Sequence, residues 1–178
     1  IDVEMKRPFA QINVGVTVED WNAAVASGIV IENSSVVIKN AATSLNLIDG
    51  TVGTETVDVV SYASNTIPNE PLNVDTDGDG IKEEYNWLSM SYILVADETD
   101  GASMATLQSL QYTFTPVNGN PIEFEEGLNT VPVQRNWRTN ILGKILTGDI
   151  QFNITIDRIN IICAIAPPLA PGVTKAKK

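Results

Sequence analysis

The chain has no histidine and only one cysteine, Cys163, among its 178 residues. Ser-His-Asp and Cys-His catalysis are therefore excluded within the chain, as are zinc and haem sites that depend on histidine or cysteine. A single cysteine also cannot form an internal disulfide, which neither supports nor excludes secretion. The common nucleophilic active sites are thus removed by composition alone.

Positive charge and long hydrophobic runs are also scarce. The chain has 11 Lys and Arg residues against 22 Asp and Glu, a formal net charge of −11. Affinity for nucleic acids and for anionic bilayers depends on basic residues, so neither partner is expected. Unbroken apolar runs, such as residues 161–169, are far shorter than the roughly 20 residues that a membrane helix needs. We therefore expect no membrane span.

Alternation of apolar and polar residues with period two is abundant, and it is typical of strands with one buried face. In residues 88–95 this alternation predicts that Leu88, Met90, Tyr92 and Leu94 share one face. The predicted strands are residues 9–16, 30–38, 56–62, 88–95, 110–114, 122–124, 141–146, 150–156 and 159–165.

One segment, residues 17–28, is predicted to be a helix instead. Thr17 and Asp20 have the spacing of a capping box, and Gly28 is placed to end the helix. Trp21 and Val25 lie four residues apart, so we expect them to pack together on the sheet. The fold class predicted from these elements is all-β, a two-sheet β-sandwich with one short helix.

Residues 75–86 contain a calcium-loop motif, with aspartates at positions 1, 3 and 5 and Gly80 at position 6. A structural calcium is the cofactor that this spacing suggests. Position 12 lacks the bidentate Glu of an EF-hand, and no flanking helices are predicted. The same residues also suit a polar hairpin turn, so both interpretations stay open. The candidate metal ligands are Asp75, Asp77, Asp79, Ile81 through its carbonyl oxygen, Glu83 and Asn86.

Acidic residues are the one remaining source of catalytic groups. The neighbouring pairs Glu83–Glu84, Asp97–Glu98 and Glu125–Glu126 are adjacent in sequence. Adjacent residues of a strand face opposite sides, so these pairs do not form a glycosidase dyad locally. A dyad assembled from distant strands stays open as an alternative, but we expect solvated loop charge and no enzymatic activity.

Three blocks of sequence resemble the fimbrillin-type proteins of Bacteroidales, the subunits of type V pili. They are residues 5–15 (MKRPFAQINVG), residues 87–94 (WLSMSYIL) and residues 131–143 (VPVQRNWRTNILG). The order and spacing of the blocks are similar to the second β-sandwich domain of that family. The resemblance covers roughly residues 5–157 and implies a transthyretin-like sandwich.

The resemblance implies a function as well as a fold. It implies export through the outer membrane, a place in a cell-surface fimbrium, and polymerisation by donor-strand exchange after N-terminal processing. The partners would be copies of the same chain or related pilin subunits. The start at Ile1 rather than Met is expected for a processed form.

Within the resembling block, several residues have a predicted structural role. Arg135 and Arg138 are expected to pair with acidic loops of the same fold. Trp137 is expected to point inward, and Asn140 and Gly143 to suit a turn and a close approach of strands.

We predict a sandwich domain over residues 1–157, followed by a C-terminal strand and tail over residues 158–178. Residues 159–166 form a predicted strand that is apolar on both faces, so both faces must be covered, and Pro167 and Pro168 then stop ladder pairing. We predict that it is the donor strand, and an ordinary last strand of the same sheet is the alternative. The candidate polymerisation residues are Ile159, Ile161, Ile162, Cys163 and Ile165.

A second functional hypothesis is a monomeric surface adhesin or pilus-tip module that binds a host or bacterial surface ligand, such as a glycan. Its loop would be stiffened by calcium, and its stacking residues would be Trp21, Trp87 and Trp137. Core packing is the more favoured role for all three tryptophans.

Overall fold

The computed structural model describes residues 7–39, 41–53, 56–57, 60–64, 70–95 and 105–158. Its elements are β1 (Phe9–Thr17), α1 (Val18–Ala26), β2 (Ile31–Ile38), β3 (Ala41–Ala42), β4 (Thr56–Val57), β5 (Val60–Ser64), β6 (Leu72–Val74), β7 (Glu83–Leu94), β8 (Ala105–Leu107), β9 (Leu110–Pro116), β10 (Ile122–Phe124), β11 (Val131–Val133), β12 (Trp137–Lys144) and β13 (Gln151–Arg158).

The strands form one large sheet, one small sheet and a two-stranded ladder. The large sheet has the order β13-β12-β1-β7-β3-β4, and β6 also pairs with β7. The small sheet has the order β10-β9-β2-β5, and β8 pairs with β11. Strand β1 is central because it pairs in parallel with β12 and antiparallel with β7. The predicted all-β, sandwich-like fold with one short helix is confirmed.

One hydrophobic core joins the two main sheets. From β1, Ile12, Val14 and Val16 are fully buried, as the period-two pattern predicted. From β9, Tyr112 and Phe114 are fully buried and their rings stack at 5.9 Å. Alternating apolar side chains from both sheets thus stabilise the sandwich by removing apolar area from water.

The predicted helix is confirmed, but the face that it buries differs from the expectation. Thr17 caps the helix by accepting a hydrogen bond from the backbone N–H of Asp20 at 3.2 Å, and Gly28 follows the helix at φ 86°. Trp21 packs against the core, whereas Val25 is 46% exposed. The helix buries Ala24 and Asp20 instead, so the expected packing of Val25 on the sheet was wrong.

The predicted inward face of residues 88–95 was also wrong, and a β-bulge is the reason. The register between β1 and β7 shifts at Val14/Gly15, so that Leu88 is an extra residue in β7. Beyond the bulge Ser89, Ser91 and Ile93 are buried. In contrast, Met90 is 40% exposed and Tyr92 is 43% exposed, because one inserted residue reverses the side-chain alternation.

Strand β12 begins before the predicted residue 141, and this changes the role of Asn140. Asn140 lies inside the strand and is fully buried, so the turn expected there was wrong. Gly143 does lie at a close approach of strands, because a Cβ atom at this position would stand 2.1 Å from the carbonyl oxygen of Gln151 in β13.

Helix α1 has nine residues, and no helix in the described part of the chain has the length and hydropathy to cross a membrane.

Candidate functional site: the β6–β7 loop and the β13 edge

The calcium-like motif lies in the loop that joins β6 to β7. These strands form an antiparallel hairpin in which Val74 pairs with Glu83. The loop therefore has the position that the hairpin-turn interpretation requires. It also curls enough to bring its three aspartates together, as the calcium interpretation requires.

The carboxylates of Asp75, Asp77 and Asp79 supply oxygen atoms that all lie within 4.8 Å of one another. Asp75 accepts hydrogen bonds from the backbone N–H groups of Gly78 at 2.7 Å and Gly80 at 2.9 Å. These bonds hold the loop curled, while each carboxylate oxygen keeps lone pairs for a further partner. Hard oxygen ligands of this kind suit Ca²⁺.

Backbone N–H groups also orient the other two carboxylates. Asp77 accepts a bond from the N–H of Asp79 at 3.1 Å, and Asp79 accepts one from the N–H of Ile81 at 2.7 Å. In each case only one oxygen, Oδ1, takes part. The three carboxylates therefore form a set of oxygen ligands that fits a small hard cation at the loop.

The remaining predicted ligands have different surroundings. Glu83 accepts hydrogen bonds from the Thr76 hydroxyl at 2.7 Å and the Thr76 backbone N–H at 2.8 Å, and these bonds lower the pKa of its carboxyl. Ile81 is exposed at the end of the loop. Asn86 lies in β7, in register with Val16 of β1. The structure thus groups the three aspartates and places Glu83 against Thr76.

Strand β13 forms one edge of the large sheet. It pairs with β12 over eight consecutive residues, from Gln151 to Arg158, and the described residues provide no strand on its other side. The candidate polymerisation residues follow directly, in the segment 159–166, and lie outside the described residues. The edge and the predicted donor segment are therefore consecutive in the chain.

A row of hydrogen-bonded polar side chains runs across three neighbouring strands of the large sheet, from β1 through β12 to the edge strand β13. Gln11 donates to Asn13 at 2.8 Å, Asn13 donates to Asn140 at 2.7 Å, and Asn140 donates to Asp157 at 3.2 Å. Arg138 also pairs with Asp157. Since buried amides need partners, this row ties β1, β12 and β13 together.

The two arginines of the resembling block have partners at different places. Arg138 pairs with Asp157 of β13, which is a strand residue and not part of an acidic loop. Arg135 is buried and donates to the carbonyl oxygens of Gly50 and Val95, each at 2.9 Å. Both arginines therefore connect segments that are distant in sequence.

The three tryptophans are all partly buried. Trp21 packs against the main core, and Trp87 packs against a small cluster of Leu72, Val74 and Leu142. Trp137 lies 5.4 Å from the guanidinium of Arg158, which is within cation–π range. These contacts favour the packing role, and the structure places Trp87 in the strand that follows the aspartate loop.

Sequence reasoning missed two buried polar features. One is the hydrogen bonding of the Asp20 carboxylate to residues 145–147, which we call the Asp20 clamp, and the other is the polar row that includes Gln11 and Asn13. The capping pattern identified Asp20 as a helix residue, but its carboxylate accepts bonds from residues 145–147. A partner 125 residues away gives no local signal. Gln11 and Asn13 occupy the polar positions of the alternation in β1, and the sequence alone predicts that such positions face solvent.

Comparisons with known proteins give one family and one distant structural neighbour. None of the curated proteins matches the chain significantly. The chain is similar to the crystal structure of a protein from Bacteroides ovatus ATCC 8483 that is assigned provisionally to cell adhesion, with 11% identity and a TM-score of 0.44. The similarity covers 88% of this chain but only 46% of that one.

At this identity and TM-score, the structural neighbour supports no conclusion about function, and membership of the fimbrillin family stays a prediction. The family comparison is more extensive, because residues 1–161 match one family along nearly the whole chain. The chain therefore belongs to the family of unknown function DUF6562.

Proposed function

We propose that the chain is a structural subunit of a bacterial surface filament that polymerises by strand exchange between subunits. The observation that supports this proposal is the β13 edge, which has a strand on one side only among the described residues. An exposed edge offers unpaired N–H and C=O groups to a strand from another chain. In the proposal, residues 159–166 of one subunit supply such a strand to another.

The composition of β13 is consistent with strand addition. Proteins usually protect edge strands with lysine, proline or bulges. Strand β13 contains none of these over its eight residues, and its pairing with β12 has no register shift. Its charged residues are Asp157 and Arg158, and Asp157 is already paired with Arg138. Residues 151–156 of the edge therefore lack the usual features that prevent intermolecular pairing, and the charged side chains are confined to the last two residues of the strand.

The proposed location and partners follow from this assembly. The subunit would act at the cell surface, in a fimbrium reached by export through the outer membrane, and its partners would be further copies or related pilins. No catalytic step is needed for such a role, so we also propose that the chain is not an enzyme.

A lysine in the edge strand tests whether the edge is used. Asn153 is exposed in β13, and Asn153→Lys adds charge at the edge. Asn118→Lys is the matched control, because Asn118 is exposed in the β9–β10 loop. Both variants should melt like the native protein. We expect Asn153→Lys to prevent filaments in negative-stain electron microscopy, and equal filaments in both variants would contradict the use of this edge.

The second candidate is a monomeric surface adhesin whose β6–β7 loop is stiffened by calcium. The observation that favours it is the convergence of the three aspartate carboxylates within 4.8 Å. Binding to immobilised host or bacterial glycans, lost on chelation of calcium, would support this alternative. A sample that remains monomeric under all conditions would also favour the adhesin over the filament subunit.

A further inference from the structure

The loop that joins β9 to β10 contains the chain's one asparagine–glycine pair, Asn118–Gly119. The loop spans residues 117–121, between Pro116 and Ile122, and all of its residues are exposed. The backbone nitrogen that follows an asparagine can attack the side-chain amide carbon, Cγ, and close a succinimide ring. Glycine favours this attack because it has no side chain beside its nitrogen and adopts a wide range of backbone dihedrals.

Hydrogen bonding leaves both reacting groups of this pair free. Within the part of the chain that the structure describes, no hydrogen bond involves the side chain of Asn118 or the backbone N–H of Gly119. The ladder between β9 and β10 ends before the loop, and the N–H of Val117 donates to the carbonyl oxygen of Val30 at 2.8 Å. The side chain and the nitrogen can therefore approach each other without breaking a bond of the fold.

The space around Gly119 is also open. Apart from its chain neighbours, a Cβ atom built on Gly119 would meet no heavy atom closer than the Cγ of Pro116, at 3.8 Å. Gly119 has a φ of 110°, a conformation that residues with a side chain rarely adopt. The turn thus requires glycine at the position where glycine also makes the preceding asparagine most reactive.

The aspartate–glycine pairs of the described chain differ in this respect. Three aspartates there are each followed by a glycine whose N–H is already bonded. Gly78 and Gly80 donate to Asp75 at 2.7 Å and 2.9 Å, and Gly50 donates to the carbonyl oxygen of Asn46 at 2.8 Å. An ionised carboxylate is also attacked less readily than an amide, because its negative charge repels a nucleophile. The fold therefore protects these pairs and leaves the asparagine–glycine pair reactive.

We propose that Asn118 is a modification site that converts spontaneously to aspartate and isoaspartate. The nitrogen of Gly119 bonds to Cγ of Asn118 while the Cγ–Nδ2 bond breaks, and the proton of the Gly119 N–H leaves with the amide group as ammonia. Water then opens the succinimide ring. Cleavage of the bond between the ring nitrogen and Cγ gives aspartate, and cleavage of the bond between that nitrogen and the backbone carbonyl carbon gives isoaspartate.

The modification changes the charge of the loop and leaves the sandwich intact. Each product adds one negative charge, so the formal net charge changes from −11 to −12. Isoaspartate also lengthens the main chain of the loop by one carbon atom. The adjoining hairpin is held by Phe124, which is fully buried against Tyr112, and by the bond from Thr113 to Glu123 at 3.0 Å. Because no enzyme or cofactor takes part, the modified fraction increases with the age of the protein, in a filament subunit and in an adhesin alike.

Peptide mapping of the full chain by mass spectrometry tests the site. The chain is incubated in mildly alkaline buffer and then cut after Glu98 and Glu123, which isolates Asn118 on one peptide. Asn129 is the internal control, because it is exposed in a loop but is followed by threonine. We expect Asn118 to lose its amide at least roughly tenfold faster than Asn129, because the attacking nitrogen is unhindered. Equal rates at the two asparagines would overturn the proposal.

The products and their pH dependence identify the reaction. Ring closure by the backbone nitrogen yields isoaspartate together with aspartate, whereas direct hydrolysis of the amide yields aspartate alone. The attacking N–H must lose its proton, so the rate should fall when the same incubation is carried out in mildly acidic buffer. Formation of aspartate without isoaspartate would contradict the proposed reaction.

Repeating the incubation in urea separates the effect of the fold from that of the sequence. Asn118 should react at a similar rate in the native and the unfolded chain, because the loop leaves the pair free. Asp77 and Asp79, whose following glycines are bonded in the fold, should form isoaspartate faster in urea than in the native chain. Protection of Asn118 in the native chain, with reaction only in urea, would contradict the inference that the loop permits ring closure.

Discussion

Substitution of Asp20 by alanine tests the long-range clamp between α1 and the end of β12. The Asp20 carboxylate is 2% exposed and accepts the backbone N–H groups of Ile145 at 2.8 Å, Leu146 at 2.8 Å and Thr147 at 3.1 Å. The Thr147 hydroxyl also donates to it. Asp20→Ala removes this acceptor from all four donors while leaving the Thr17 cap in place.

The magnitude follows from the donors that stay buried. Ile145 and Leu146 are buried, so their N–H groups cannot exchange the carboxylate for water, whereas Thr147 is partly exposed. An unsatisfied buried donor costs about 1–3 kcal/mol, which gives about 4 kcal/mol for the two. For a chain of this size that loss lowers Tm by about 10 °C. Asp20→Asn can keep an acceptor oxygen at the position of Oδ2, which binds the N–H groups of both Ile145 and Leu146, so this variant should lose clearly less stability than Asp20→Ala.

Urea denaturation followed by tryptophan fluorescence measures the free energy of unfolding. Glu19→Ala is the matched control, because Glu19 is exposed in the same helical turn and should change stability by less than about 0.5 kcal/mol. If the free energy of unfolding of Asp20→Ala lies within about 1 kcal/mol of that of the Glu19→Ala control, the Asp20 clamp is weaker than its buried hydrogen bonds imply.

Three further predictions concern strand packing, calcium and catalysis. Gly143→Ala should strongly destabilise the chain in the same urea assay, since the new Cβ would meet the Gln151 carbonyl oxygen at 2.1 Å; native-like stability would refute this packing. Calcium should raise Tm by mass action, and the rise should be absent when Asp75 and Asp77 are both changed to Asn; no binding heat in calorimetry and an unchanged melt in chelator would contradict a calcium site. No turnover is expected in a screen of glycosides, esters and peptides, and turnover lost on replacing a single carboxylate would overturn the non-enzymatic assignment.

The sequence predicted the elements of the fold well where the signal is local. The alternation in β1 and β9 and the capping residues of α1 come from neighbouring residues, so the elements formed where expected. The face of β7 failed after Leu88, because the bulge is set by its pairing with β1 and not by β7 itself. Pairing between distant strands is the part that local periodicity does not encode.

In the candidate site, too, local spacing predicted some contacts, whereas others depend on strand pairing. The aspartates of the β6–β7 loop are close in sequence, so their spacing alone predicted that Asp75, Asp77 and Asp79 converge. Glu83 was predicted as a ligand, but its bonds to Thr76 depend on the hairpin register. The burial of Asn13 and Asn140 depends on the parallel pairing of β1 with β12, two strands that are distant in sequence.

Negative-stain electron microscopy of the full chain and of a chain lacking residues 159–178 tests strand exchange most directly. If residues 159–166 are the donor strand, the full chain forms filaments with a regular subunit repeat. The truncated chain then folds with native stability but forms no filaments, because it lacks the donor strand. Filaments of the truncated chain would contradict strand exchange by this segment, and so would its unfolding, which would place residues 159–166 in the subunit's own sheet.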